Sequence, residues 1–89
     1  LKIEVEADTL EQAEQATEAG ADIVLLDNMT LEKLRAAVKL INGRAQTEAS
    51  GGITLKNIRE VAETGVNYIS SGALTHSAKA VDIAMEVES

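Results

Sequence analysis

The sequence predicts an α/β fold: a parallel (βα)4 half-barrel, one part of a larger TIM-like α/β barrel. Three observations lead there. Short apolar strand patterns alternate with amphipathic helix patterns along the 89 residues. The pattern recurs, with Thr9-Leu10, Glu18 and Gly20 matched by Thr54-Leu55, Glu63 and Gly65 at a constant offset of 45 positions. Residues with chemical character gather after the strands rather than before them, where parallel α/β folds place their sites.

The first strand covers residues 3–6, where β-branched and acidic side chains alternate with period two. Asp8 or Thr9 caps a helix running to about Ala19, with Leu10, Ala13, Ala16 and Thr17 on its buried stripe. Gly20 supplies the left-handed residue that stops it. Residues 23–26 form a continuous apolar run, so both faces of this second strand are expected to be buried. Thr30 caps a second helix through its hydroxyl alone, since Lys33 stands where a capping box would have an acid. Leu31, Leu34, Ala37, Val38 and Ile41 face inward, and Asn42-Gly43 closes the helix.

Residues 44–49 read as a third strand, made polar by Gln46 and Glu48. A glycine turn, Ser50-Gly51-Gly52, follows. Thr54 is predicted to cap a third helix with Leu55, Ile58, Val61 and Ala62 inward, ended by Gly65. Residues 66–70 read as the fourth strand. Gly72-Ala73 turns the chain, and a last helix is expected from Thr75 or Ser77 to Val87. There is no proline to break these elements.

The 45-residue repeat spans two strand–helix units, so it is not the period of a helical solenoid. An arc of an eight-stranded barrel and a small open doubly wound sheet both fit. The loop chemistry favours the arc. Such an arc leaves two bare edges and an open core, so self-association or pairing with a missing barrel half is expected.

Composition bounds the function. A chain this short buries a modest share of its surface, so stability should be marginal without a partner. Tyr68 is the single aromatic, which leaves Ala, Val, Ile and Leu to build the core. Without cysteine there is no disulfide or thiolate site. A net charge of -7 argues against nucleic acid as a partner. The apolar runs fall far below the ~20 residues that cross a bilayer, and the N-terminus does not read as a signal peptide, so no membrane contact and a cytoplasmic location are expected.

The two glycine turns carry the chemistry. In Ser50-Gly51-Gly52, paired glycines let backbone N–H groups approach a phosphate; a plain tight turn is the alternative. Ser71-Gly72-Ala73-Leu74-Thr75-His76 is a second such turn one strand later, and barrels often build a phosphate site from the last two loops. His76, the one histidine, is a phosphate partner there or an exposed helix-start residue. Glu6 and Asp27 end neighbouring strands, where two carboxylates bind ribose hydroxyls, hold magnesium through water, or simply bond nearby loops. Glu48 within a strand needs a partner, a ligand or an outward position.

Val5-Glu6, Glu18-Ala19-Gly20-Ala21-Asp22, Leu25-Leu26-Asp27-Asn28, Glu48-Ala49-Ser50-Gly51-Gly52-Ile53 and Ser71-Gly72-Ala73-Leu74-Thr75-His76-Ser77 together resemble quinolinate phosphoribosyltransferase, also called carboxylating nicotinate-nucleotide pyrophosphorylase. The resemblance covers essentially the whole chain. It implies an enzyme of NAD synthesis that joins quinolinate to phosphoribosyl pyrophosphate with magnesium, giving nicotinate mononucleotide, pyrophosphate and carbon dioxide. It places Glu6 and Asp27 at the ribose and magnesium end of the phosphoribosyl group. Ser50, Gly51, Gly52, Gly72 and His76 would bind the 5′-phosphate. Asn28 and Glu48 share these motifs without an assigned role.

The family's N-terminal domain and early barrel strands, which carry the cations that grip quinolinate, have no counterpart here. The expectation is therefore a phosphoribosyl half-site that is inert alone, with a non-catalytic structural half-barrel as the alternative. Another phosphate-binding barrel, of the thiamin-phosphate or indole-glycerol type, would not be expected to combine Leu-Asp-Asn with Glu-Ala-Ser-Gly-Gly.

Overall fold

A computed structural model describes residues 2–71 and 74–77, with Ser71 and 74–77 described as backbone. Strands and helices alternate as β1 (Glu4–Ala7), α1 (Leu10–Glu18), β2 (Ile23–Asp27), α2 (Leu31–Ile41), β3 (Gln46–Ser50), α3 (Ile58–Glu63) and β4 (Tyr68–Ser71), followed by β5 (Leu74–Ser77). The sheet order is β1-β2-β3-β4-β5, and the pairings from β1 to β4 are parallel. Strands laid down in chain order, with no reversal, are the arrangement of a barrel arc. A doubly wound sheet would reverse at a switch point.

The helices share one side of the sheet. α1 lies on β1 and β2 and beside α2, and α2 lies beside α3. Beneath them the strands present Ala7, Val24, Leu26, Thr47, Ala49 and Ile69, all buried. The helices answer with Ala13, Ala16, Leu34, Ala37, Ile41, Ile58 and Val61. Leu26, Ile41 and Val24 are the largest fully buried side chains, so an aliphatic core does form without aromatics.

The other face of the sheet is open. The expectation that both faces of β2 are buried fails for this reason: Val24 and Leu26 are sealed, but Ile23, Leu25 and Asp27 are half-exposed. The same alternation explains the polar third strand. Thr47 and Ala49 turn to the helices, and Gln46, Glu48 and Ser50 turn to the open face. Among the described residues, no helix is long and apolar enough to cross a membrane.

Local signals end the helices largely as the sequence indicates. The Thr9 hydroxyl accepts the Gln12 N–H at 3.1 Å, and the Gln12 side chain accepts the Asp8 N–H at 2.7 Å. Past α1, the Gly20 N–H reaches Thr17 O and the Ala21 N–H reaches Ala16 O, the paired bonds of a Schellman motif around a glycine at φ 92°. Asn42 ends α2 in the left-handed conformation at φ 50°. Arg44 then ties the two helices together: it donates to the Ile41 and Leu40 carbonyls and pairs with Glu14 at 3.0 Å.

Two expectations are corrected. α3 begins at Ile58 rather than after Thr54, and Leu55 is 57% exposed rather than inward. Thr54 starts a turn instead, because the Asn57 side chain takes its N–H. The last helix does not start at Thr75 or Ser77. Leu74–Ser77 is β5, antiparallel to β4, and it occupies the edge that β4 would otherwise leave bare. The remainder of that expected helix, with Gly72 and Ala73, lies outside the described residues.

Leu26→Ala should cost ~2–5 kcal/mol, because it empties a sealed position. Leu25→Ala, on the half-open face, should cost less than half as much. Urea unfolding of both variants checks the difference.

Candidate functional site

The parallel register gathers carboxylates and loops at one end of the sheet. Glu6 pairs with Leu25, and Leu25 with Glu48. Asp27 is two residues beyond Leu25 and pairs with Ser50. Side chains alternate with period two, so Glu6, Asp27, Glu48 and Ser50 share the open face. Their order along the strands puts Asp27 and Ser50 at the C-terminal end, next to the β2–α2 and β3–α3 loops.

These two loops touch. The Asn28 N–H donates to the Ser50 carbonyl at 2.8 Å, carrying the ladder one step past β2. Asn28 has φ 56°, a left-handed conformation that asparagine tolerates better than most residues. Gly51 and Gly52 follow at φ 81° and 68°. A Cβ on Gly51 would stand 2.9 Å from Asp27 Oδ1 and 3.0 Å from the Asn28 nitrogen. Glycine is required here twice over, by conformation and by space. The Asp27 carboxylate is thus packed against the glycine loop.

Beyond Gly52, Asn57 closes the loop. Its Oδ1 accepts the Thr54 N–H at 2.8 Å, and its Nδ2 donates to the Gly52 carbonyl at 3.0 Å. The sequence reading missed Asn57, although a signal existed: it stands 45 positions after Gln12, which makes the equivalent reach back before α1. A cleft of about 140 Å³ opens between the two loops, lined by Met29, Thr30, Leu34, Gly52 and Asn57 among others. A larger hollow of about 500 Å³, lined by Lys2, Asp22 and Arg44, lies at the opposite end of the strands. Its charged groups are already engaged in structural bonds: Asp22 takes the Ile3 N–H, and Arg44 serves α1 and α2.

Glu48 finds partners on the open face. The Ser70 hydroxyl donates to its carboxylate. Glu4 shares a hydrogen bond with it, and the Glu4 carboxyl is pushed above its ordinary range by lost solvation, then by the Glu48 charge, that hydrogen bond and the Glu6 charge. A proton held on Glu4 relieves the crowding of like charges.

The structure therefore brings Glu6, Asp27, Ser50, Gly51 and Gly52 to one end and one face. His76 falls in β5, with its backbone opposite Ile69, rather than at a helix start. Gly72 lies outside the described residues. No cluster of three or more metal-binding side chains occurs among the described residues.

Comparison with known proteins agrees with this geometry. The family described as quinolinate phosphoribosyl transferase, C-terminal domain, matches residues 1–86. A probable carboxylating nicotinate-nucleotide pyrophosphorylase of Bacillus subtilis is 49% identical over 87 residues, which is 98% of this chain and 30% of that protein. A chloroplastic carboxylating nicotinate-nucleotide pyrophosphorylase of rice, Oryza sativa subsp. japonica, is 43% identical over 103 residues, 99% of this chain and 28% of its own length. The solved nicotinate-nucleotide pyrophosphorylase of Ehrlichia chaffeensis superposes with a TM-score of 0.76 at 40% identity, covering 79% of this chain and 26% of that one. The chain thus spans under a third of the length of these relatives.

Gly51→Ala should lower stability by ~1–3 kcal/mol, through positive-φ strain and the clash with Asp27, and should displace the Asp27 side chain. Thermal melts and the Asp27 carboxyl resonance read both effects. Because the Glu4 pKa is raised on folding, its contribution is present below the ordinary glutamate pKa and is lost as pH rises through the raised value. Glu4→Gln should flatten the fall in melting temperature over that window, and a pair of melting-versus-pH curves checks it.

Proposed function

The chain belongs to the quinolinate phosphoribosyl transferase C-terminal domain family, and on that premise we propose that it carries the phosphoribosyl half of the site of an enzyme making nicotinate mononucleotide, pyrophosphate and carbon dioxide from quinolinate and phosphoribosyl pyrophosphate. The observation that carries this reading is the paired left-handed glycines at the end of β3, with the Asp27 carboxylate lying against the first of them.

The roles follow from chemistry. Ser50, Gly51 and Gly52 offer backbone and hydroxyl donors to the 5′-phosphate, with Gly72 and His76 completing the set from the next loop. Open space over the glycines is what a phosphate needs for close approach to main-chain N–H groups. Glu6 and Asp27 face the ribose, where they accept its hydroxyls. As pyrophosphate departs, positive charge develops at the anomeric carbon, and carboxylates on that face favour it electrostatically.

Magnesium fits this donor set in one way. With no three-residue cage among the described residues, the ion would be held by Glu6 or Asp27 together with water and substrate oxygens, the usual manner for magnesium-phosphate sites. When bound, it neutralises the pyrophosphate leaving group.

Quinolinate is a dianion, and the open face bears Glu4, Glu6, Asp27 and Glu48. The described cations Lys33, Arg35, Lys39, Lys56 and Arg59 lie on helices or the turn before α3. We therefore assign the grip on quinolinate, and the covering of the open face, to protein outside these residues. A missing barrel half fits that place better than a second copy of the same acidic face.

Amide NMR of the chain during titration with phosphoribosyl pyrophosphate and magnesium tests the reading. Selective shifts at Gly51, Gly52, Gly72 and His76 are expected. A dispersed spectrum that does not respond would leave a structural half-barrel with no retained ligand.

A further inference from the structure

A capping box needs a side chain three positions after the cap to accept the cap residue's N–H. Asn57 Oδ1 meets that need for Thr54 at 2.8 Å. The cap leaves the Asn57 amide nitrogen free for a second task, and it donates to the Gly52 carbonyl at 3.0 Å. That second bond does nothing for α3. It acts on the glycine loop.

Its effect can be read from peptide geometry. The Gly52–Ile53 peptide is trans, so its C=O and N–H point in opposite directions within one plane. Fixing the Gly52 carbonyl toward Asn57 turns the Ile53 N–H away from it. On the other flank, the Asn28 N–H fixes the Ser50 carbonyl, which turns the Gly51 N–H away from β2. Two left-handed glycines would otherwise let both planes swivel, since glycine has the widest conformational freedom of any residue.

We propose that Asn57 is a positioning residue for phosphate binding, holding the Gly52–Ile53 peptide plane so that the loop presents its N–H groups before the ligand arrives. The proposal rests on the phosphate reading of this loop given above. Preorganised donors bind an anion without the cost of ordering the loop at the moment of binding.

The test uses the 89-residue chain and inorganic phosphate, followed by amide NMR, for wild type, Asn57→Ala, Asn57→Asp and the exposed neighbour Leu55→Ala. Asn57→Asp keeps the acceptor that caps Thr54 and loses the donor to Gly52. Both Asn57 variants should move the ligand-free Gly51, Gly52 and Ile53 amides and weaken phosphate binding roughly tenfold, the scale of one lost buried hydrogen bond. The Val24, Leu26 and Thr47 amides should stay in place, and Leu55→Ala should bind as wild type. If Asn57→Asp restores the loop amides to their wild-type positions, Asn57 is a helix cap only and the proposal is overturned, whatever the added charge does to affinity. Unchanged binding in Asn57→Ala overturns it as well and leaves the phosphate reading intact. A wild-type chain that ignores phosphate removes the phosphate reading, and the role of Asn57 with it.

Discussion

The two-residue alternation along the β2–β3 ladder is the constraint on which the rest of the chain depends. It sends Val24, Leu26, Thr47 and Ala49 under the helices and Leu25, Asp27, Glu48 and Ser50 to the other side. A slip of one residue would exchange the two sets, burying carboxylates under aliphatic helices and exposing the core. The register is therefore fixed by hydrophobic burial, and the site inherits its positions from it. The helix-facing side of the sheet supplies the stability, and the open side carries the chemistry.

The ladder also explains how a site can be accurate on loops. The Asn28 N–H to Ser50 carbonyl bond extends the pairing of β2 and β3 into the turns that follow. Gly51 then brings its backbone to a distance from Asp27 that no other residue allows. The carboxylate and the glycine loop are held together by the sheet rather than by a long side chain, so their separation does not depend on rotamer choice.

Much of this was legible in the sequence, because it rests on local rules. The caps at Thr9 and Thr30, the glycine ending α1 and the asparagine ending α2 are written in single residues whose conformational preferences are strong. The strand order follows from four alternating units. What the sequence did not disclose depends on long-range partners. The open face of β2 could not be read from an unbroken apolar run, since Ile23 and Leu25 look the same as Val24 and Leu26 in one dimension. The helix expected after Thr54 was delayed by a side chain three residues on, and the strand at residues 74–77 arises from the demand of an unpaired edge. Within the candidate site, the motif residues Glu6, Asp27, Ser50, Gly51 and Gly52 stood out by type and place, whereas Asn57 was hidden by its resemblance to an ordinary turn residue.

The acidic open face has a colloidal consequence. A half-buried sheet surface with Ile23 and Leu25 in it is a candidate for stacking on its own kind, and stacked sheets are a route to insoluble material. Here every such encounter would press Glu4, Glu6, Asp27 and Glu48 against their own images at a distance where screening is weak. Groups placed for a sugar and a metal ion thereby also act as a repulsive coat, and the apolar patch stays in water without drawing copies of the chain together face to face.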